Sequence, residues 1–305
     1  MNNTICPEFN PMNTLHIYAI FHANLKFSSV PSDHYSLILD RCYWPILELA
    51  SQQDIKVGLE FSAFTLETVY EIDPTFVRAF KRCWNEGKCD LIGSGYIQSA
   101  LPTMPAEVNR KNLEFGNACY RRLMGQAPKI AYLNEQLYSS GLIKLYKDAG
   151  YEAIVMDWDN SAAYNGFPEE DIYRPQYVKG TKDHTLRLLW NSSISFQKFQ
   201  QCVFGEFPVE EYIDFVKSHY SENNDRSYPI YGSDLEIFDY KPHHSDPHHF
   251  APLQEEMDRI REIFLRLKSL EDVELLTPSE ILRRFHSEKI IKIETSEYPL
   301  PCKKQ

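Results

Sequence analysis

The chain has 305 residues, enough for one large core or two small ones, and its 43% hydrophobic and 25% charged content excludes a disordered polypeptide. A formal net charge of −11 argues against a nucleic-acid partner, because Lys81-Arg82, Arg121-Arg122 and Arg283-Arg284 read as solvated helix faces rather than a basic stripe. No apolar run reaches membrane-spanning length, and the polar start over residues 1–13 lacks the basic-then-apolar order of a signal peptide.

Seven cysteines (Cys6, Cys42, Cys83, Cys89, Cys119, Cys202, Cys302) are odd in number and contain no C-x-x-C pair, which fits reduced thiols and a cytoplasmic location. Aromatic residues make up 13%; they suit a sugar cleft, and they equally fill any large core.

In chain order, strand-like and helix-like segments alternate. Residues 15–21 form a first strand, apolar throughout as expected when both faces are covered. Residues 33–52 are helical, adjusted at Pro45. A strand at 55–61, a helix at 74–86 stopped by Gly87, a strand at 89–93 and a helix at about 105–124 follow. The fourth strand is 129–133, with Ser139 capping the next helix, and the fifth is 152–156. Residues 157–183, rich in Asn, Gly and Pro, read as an extended loop. A strand at 185–190, a helix at 209–220 and a strand at 228–232 lead to the clearest helix, where Leu253, Met257, Ile260, Phe264 and Leu267 form one stripe. A short strand at 273–276 precedes Thr277-Pro278, a cap and first-turn proline for a closing helix. Seven or eight β–α units predict an α/β fold and favour a single parallel barrel over an open sheet, two forms that periodicity alone does not separate. Its boundaries are an N-terminal arm over 1–13, the barrel over 14–290 and a tail over 291–305.

Two carboxylates stand at strand ends, where barrel side chains converge on a ligand. Glu135 follows the fourth strand in Ala-Tyr-Leu-Asn-Glu, and Asp234 ends the seventh in Tyr-Gly-Ser-Asp-Leu-Glu. Such a pair suits glycosidic hydrolysis, one carboxyl protonating the leaving oxygen while the other attacks or activates water. Each also has a plain alternative, a solvent-facing loop glutamate and a turn aspartate. Alternation would point Glu236 to the same side as Asp234. His22 ends the first strand, and Gly93-Ser94-Gly95-Tyr96 ends the third, its small residues allowing close backbone approach to a ligand. Trp158 could stack on a sugar face or pack in the core. His244 and His248 have metal-ligand spacing on a helix, but Pro242 and Pro247 oppose a helix there, so residues 243–249 read as a solvated loop.

Together these segments resemble the glycoside hydrolase family 57 catalytic domain. That family carries a His motif after the first strand, a Gly-containing motif after the third, a nucleophilic Glu after the fourth and an acid Asp on the seventh. His22, Gly93–Pro102, Glu135 and Asp234 stand in that order. The resemblance covers about residues 14–285 and includes Gly150-Tyr151-Glu152-Ala153 and Ser233-Asp234-Leu235-Glu236-Ile237-Phe238. It implies a (β/α)7-type incomplete parallel barrel and a retaining double displacement on α-linked glucans or related α-glycosides, by hydrolysis or transfer, with no cofactor or catalytic metal. Glu135 would be the nucleophile and Asp234 the acid/base, their carboxyls roughly 5–5.5 Å apart. His22 and Tyr96 would hydrogen-bond sugar hydroxyls. Gly95, Trp158 and Glu236 would complete the carbohydrate site, with Glu236 a source of charge that keeps Asp234 protonated.

The chain departs from the common family pattern in places. His22-Ala23-Asn24 stands for His-Gln-Pro, Tyr132 for a Trp before the nucleophile, and Asp239-Tyr240-Lys241 for Gly-His-Trp. The C-terminal helical domain of many members is not expected within it, which leaves a cleft that a second copy or another partner would complete. Two other readings stand beside this one: a carbohydrate-binding barrel without turnover, and a metal-dependent polysaccharide deacetylase. The deacetylase would want an Asp-Asp pair after the first strand, which is absent.

Overall fold

The computed structural model describes residues 13–240 and 255–294. The histidine-rich stretch 243–249 lies outside the described residues, as do most of the arm and tail. Ten strands form one sheet: β1 (Leu15–Ala23), β2 (Val57–Phe61), β3 (Cys89–Gly93), β4 (Ile130–Tyr132), β5 (Ala153–Asp157), β6 (Gln176–Lys179), β7 (Thr185–Asn191), β8 (Arg226–Asp234), β9 (Val273–Leu275) and β10 (Ile290–Ile291). Their order is β10-β6-β7-β5-β4-β3-β2-β1-β8, with β9 on the lower half of β1. All ladders are parallel except β6 with β7. The seven strands from β7 round to β8 curl into the expected (β/α)7-type incomplete barrel, with helices outside.

Alternation along each strand divides inner from outer side chains. Tyr18, Ile20, Ile92, Ile130, Tyr132, Ala153, Val155 and Leu189 share an apolar cluster inside the curl. The larger cluster, between strands and helices, fills the outer layer. β8 keeps its inner parity only through a bulge. Tyr18 pairs with Pro229 but Ala19 pairs with Tyr231, leaving Ile230 as the extra residue. Proline cannot donate to a ladder, and the one-residue slip turns Gly232 and Asp234 to the same level as Ile20 and His22.

Among the described residues β7 and β8 share no ladder, and side chains bridge the gap. The Asn191 amide donates to the Gly232 carbonyl at 2.7 Å and to the Tyr132 hydroxyl at 3.2 Å, and that hydroxyl donates to the same carbonyl at 3.0 Å. Tyr18 reaches across to the Trp190 carbonyl at 2.6 Å. The opposite end is closed by the helix Pro278–Arg284. The capping box of Thr277 with Glu280 starts it, Asp90 accepts from the Ser279 N–H at 2.6 Å, and Arg187 donates to the Leu282 and Phe285 carbonyls.

Several segments differ from the sequence reading. The first helix contains a π turn at Leu39–Tyr43 before Trp44–Gln53, because Pro45 has no N–H for the carbonyl four residues back. Helices Ala63–Ile72 and Ser193–Val203 were not expected; Ser62 and Ser192 cap them by accepting from Thr65 and Ser195. Residues 157–183 are not one extended loop. They hold a helix Trp158–Asn165, a 3-10 turn Glu169–Tyr173 and strand β6. The helix Leu142–Asp148 begins after Gly141, so Ser139 is not its cap. The tail boundary falls inside an element, since Ile290–Ile291 pairs with β6.

A Cβ on Gly232 would overlap the Asn191 amide, whereas one on Gly141 would meet nothing closer than 3.7 Å. Gly232→Ala should therefore cost about 1–3 kcal/mol in chemical denaturation, and Gly141→Ala should cost nothing measurable. Equal midpoints for the two variants would refute the bridged gap.

Candidate active site

The upper rim of the curl is polar, and each residue named there from the sequence lies at or just beyond the C-terminal end of a strand. His22 stands near the end of β1, Gly95 after β3, Glu135 after β4, Trp158 after β5 and Asp234 at the end of β8.

Glu135 is exposed and sits on a tight elbow. It and Gln136 both have left-handed backbones, with φ of 55° and 54°. Two successive non-glycine residues in that region cost about 1–2 kcal/mol each. Gln136 holds the elbow from both ends of its amide: its nitrogen donates to the Tyr132 hydroxyl at 3.3 Å, and its oxygen accepts from the Asp157 N–H at 2.7 Å.

Asp234 is 47% exposed in its side chain, and its Oδ1 lies 3.7 Å from Nε2 of His22. The His22 ring is nearly enclosed. Its Nδ1 is bonded to Oε2 of Glu60, a wholly buried carboxylate on β2, and its Nε2 lies 2.7 Å from Nε2 of Gln98, an amide that turns its oxygen to the ring when both ring nitrogens carry protons. Tyr132 stacks on the ring with centroids 5.7 Å apart. Burial alone would lower the imidazole pKa, but the charge and hydrogen bond of Glu60, then Asp234 and Glu236, outweigh it and raise the pKa to about 9.

Glu236 does not face the opening. It is 2% exposed, and its Oε1 accepts from the Asn24 N–H at 2.6 Å and from the Tyr43 hydroxyl. Burial is the main cause that pushes its carboxyl up to about 7; the Tyr43 hydrogen bond opposes the shift and the charge of Asp234 adds to it. Burial in this pair thus falls on Glu236 rather than on Asp234.

The remaining candidates pack. Gly95 has φ of +107°, and a Cβ there would meet the Asn112 amide at 2.7 Å, so glycine is needed for the backbone itself. Asn112 pins the loop by exchanging bonds with Ile97, its oxygen accepting at 2.8 Å and its nitrogen donating at 3.0 Å. The Tyr96 hydroxyl donates to Glu67 on the outer helix at 2.8 Å, which raises its pKa to about 12, and its ring stacks on Phe64. Trp158 is 6% exposed and meets Trp190 edge-on at 5.1 Å. Asp157 just before it accepts from Asn160 and Ser193, fastening two helix starts together.

Sequence reasoning missed Glu60, Gln98, Gln136 and Asn191. Glu60 had a signal: it is the one charged residue in the apolar strand Val-Gly-Leu-Glu-Phe. Among the described residues no three His, Cys, Asp or Glu side chains are grouped as metal ligands would be, and no helix is long and apolar enough to cross a membrane.

The described residues thus form a curled, mostly parallel α/β barrel with two carboxylates and a histidine at its C-terminal rim. The chain belongs to glycosyl hydrolase family 57, whose sequence model matches residues 10–294. It is 25% identical over 279 residues to the 4-alpha-glucanotransferase of Thermococcus litoralis, covering 87% of this chain and 39% of that protein. It is 22% identical over 271 residues to an alpha-amylase of Pyrococcus horikoshii, covering 87% of this chain and 40% of that one. The crystal structure of the Thermococcus litoralis 4-alpha-glucanotransferase superposes with a TM-score of 0.77 at 21% identity, over 94% of this chain and 43% of that one. The chain therefore spans about two fifths of the length of the curated relatives it matches.

Because the folded pKa of Glu236 lies above its ordinary 4.5, the folded state holds this proton more tightly than the unfolded state does. Its contribution to stability is complete below about pH 4.5 and is lost as pH rises through 7. Glu236→Gln should flatten the fall of melting temperature between pH 5 and 7.5 relative to wild type. Parallel melting curves across that range would show that the carboxyl is not held up.

Proposed function

We propose that this domain is a retaining glycoside hydrolase or glucanotransferase acting on α-linked glucans or related α-glycosides. Glu135 attacks the anomeric carbon while Asp234 gives a proton to the departing oxygen, and Asp234 then takes the proton of the incoming water or sugar hydroxyl. The names of the relatives support the substrate class.

The observation that carries the assignment is the bond from Tyr132 to the Gly232 carbonyl. It ties the strand that ends three residues before Glu135 to the strand that ends in Asp234, which supports the two carboxylates acting together at one rim. The elbow at residues 135–136 leaves the Glu135 carboxylate exposed for attack. In this reading His22 and Gln98 line the opening beside Asp234, while Gly95, Tyr96, Trp158 and Glu236 act through packing and hydrogen bonds behind it.

Glu135→Gln and Asp234→Asn should each lower turnover of a maltooligosaccharide by about 10³-fold or more while leaving the circular dichroism spectrum and melting temperature intact. The first-formed product should carry the α configuration by NMR. Inversion at the anomeric carbon would remove Glu135 as the nucleophile, and glucan binding without turnover in the wild type would favour the binding barrel.

A further inference from the structure

We propose that Glu60 is a positioning residue for the acid–base half of this reaction, holding His22 as an imidazolium so that the proton Asp234 delivers is stored on His22. The inference rests on the reading of Asp234 as the acid/base.

Three observations carry it. Glu60 is wholly buried inside the curl, and among the described residues its Oε1 has no partner while Oε2 is bonded to Nδ1 of His22. Burial of two such groups against one another favours the arrangement in which the ring carries the positive charge that a buried carboxylate needs beside it. Second, the ladder places Glu60, His22 and Asp234 side by side, since His22 pairs with Glu60 on one side and with Asp234 on the other. The three side chains therefore run in line: Glu60, then Nδ1 and Nε2 of the ring, then Oδ1 of Asp234 at 3.7 Å. Third, the Asp234 side chain is half exposed, so it can meet a ligand with one oxygen while Oδ1 faces the ring.

Every group around the ring acts on the same balance. Glu60 faces it from β2, Gln98 from the loop after β3, Tyr132 from β4, Asp234 from β8, and Glu236 with its Tyr43 partner from the turn beyond. The nearby carboxyls favour the cation, and together they set the ring near 9 against the cost of burial.

The proton ledger closes over one cycle. As the C1–O bond to the leaving sugar breaks and the bond from C1 to Glu135 forms, Nε2 of His22 passes its proton to the ionised Asp234, which hands it to the leaving oxygen, so that Asp234 ends ionised and His22 neutral. Water or an acceptor hydroxyl then attacks C1 and breaks the ester to Glu135. Its proton passes to Asp234 and returns to Nε2. The 3.7 Å separation is that of a site without substrate, and such contacts shorten in the reacting complex.

The test combines a titration that needs no activity with a pH–rate profile. In histidine-labelled wild-type protein, with the His22 signal assigned from its loss in His22→Asn, NMR should show His22 titrating near 9. In Glu60→Gln it should fall toward 6.5, the ordinary value. With a maltooligosaccharide, kcat should keep its acid limb while the alkaline limb follows His22 down. That shift amounts to a loss of roughly thirty-fold at pH 8 with little change at pH 5.5, and KM should be nearly constant. A purely structural Glu60 would lower the whole profile without moving the limb. A wild-type His22 titrating near 6.5, or an alkaline limb unmoved in Glu60→Gln, would overturn the proposal while leaving the glycosidase reading in place. If the wild type turns over no α-glucan, that reading fails, and the proton store falls with it even where the titration shows the Glu60–His22 pair.

Discussion

A parallel barrel of seven strands has one seam that its backbone does not close, and the fold depends on how that seam is held. Here the polar side chains of Tyr132 and Asn191 meet the Gly232 carbonyl where a ladder between β7 and β8 would otherwise run. The seam imposes demands outward from that point. Gly232 must lack a side chain, because Asn191 occupies the space a Cβ would take. β8 must slip by one residue so that Gly232 faces inward, and Pro229 produces that slip. Asp234 two residues on then inherits the inward parity. The position of a candidate catalytic acid is thus fixed by a proline five residues earlier that withholds a hydrogen bond.

The two ends of the curl are treated differently, and both depend on charge inside an otherwise apolar strand. At the lower end Asp90 and Arg187 grip the start and finish of the helix Pro278–Arg284, satisfying N–H and C=O groups that a helix leaves open. At the upper end Glu60 and His22 are bonded to one another at the rim. The lower pair is consumed by the helix it holds, whereas the Nε2 edge of His22 faces the Gln98 amide and Asp234 at the rim. That difference separates a structural use of buried charge from one available to chemistry.

Much of this was legible in the sequence because it is carried by strand parity. The alternating β–α pattern gave the barrel, and the strand ends gave His22, Glu135 and Asp234. What escaped depends on contacts between residues distant in the chain. Tyr96 resembles a mouth residue by position, yet its hydroxyl turns outward to Glu67, and Gln98 two residues later reaches His22. Glu236 shares parity with Asp234 in an ideal strand, but β8 ends at Asp234, and the next turn carries Glu236 under Asn24 and Tyr43. The helix Trp158–Asn165 was masked by its Asn and Asp content. Asp157 supplies the cap that makes those residues helical. Composition cannot report such partners.

Burial and strain are divided among the three carboxyls of the rim in a way that suits different tasks. Glu236, buried and held by two donors, carries the desolvation and is a brace under the His22 turn. Asp234, half exposed, stands with Oδ1 3.7 Å from Nε2 of His22 and is open to a ligand. Glu135 carries backbone strain instead of burial, standing on two left-handed residues that the Gln136 amide anchors to Tyr132 and Asp157. Tyr132 closes the circle, since one side chain takes part in the Glu135 elbow, the barrel seam and the face of the His22 ring. A residue that serves all three could not change without moving Glu135, the strand end that carries Asp234 and the His22 ring together. That coupling is a physical reason for a tyrosine, able both to stack and to donate, at this position.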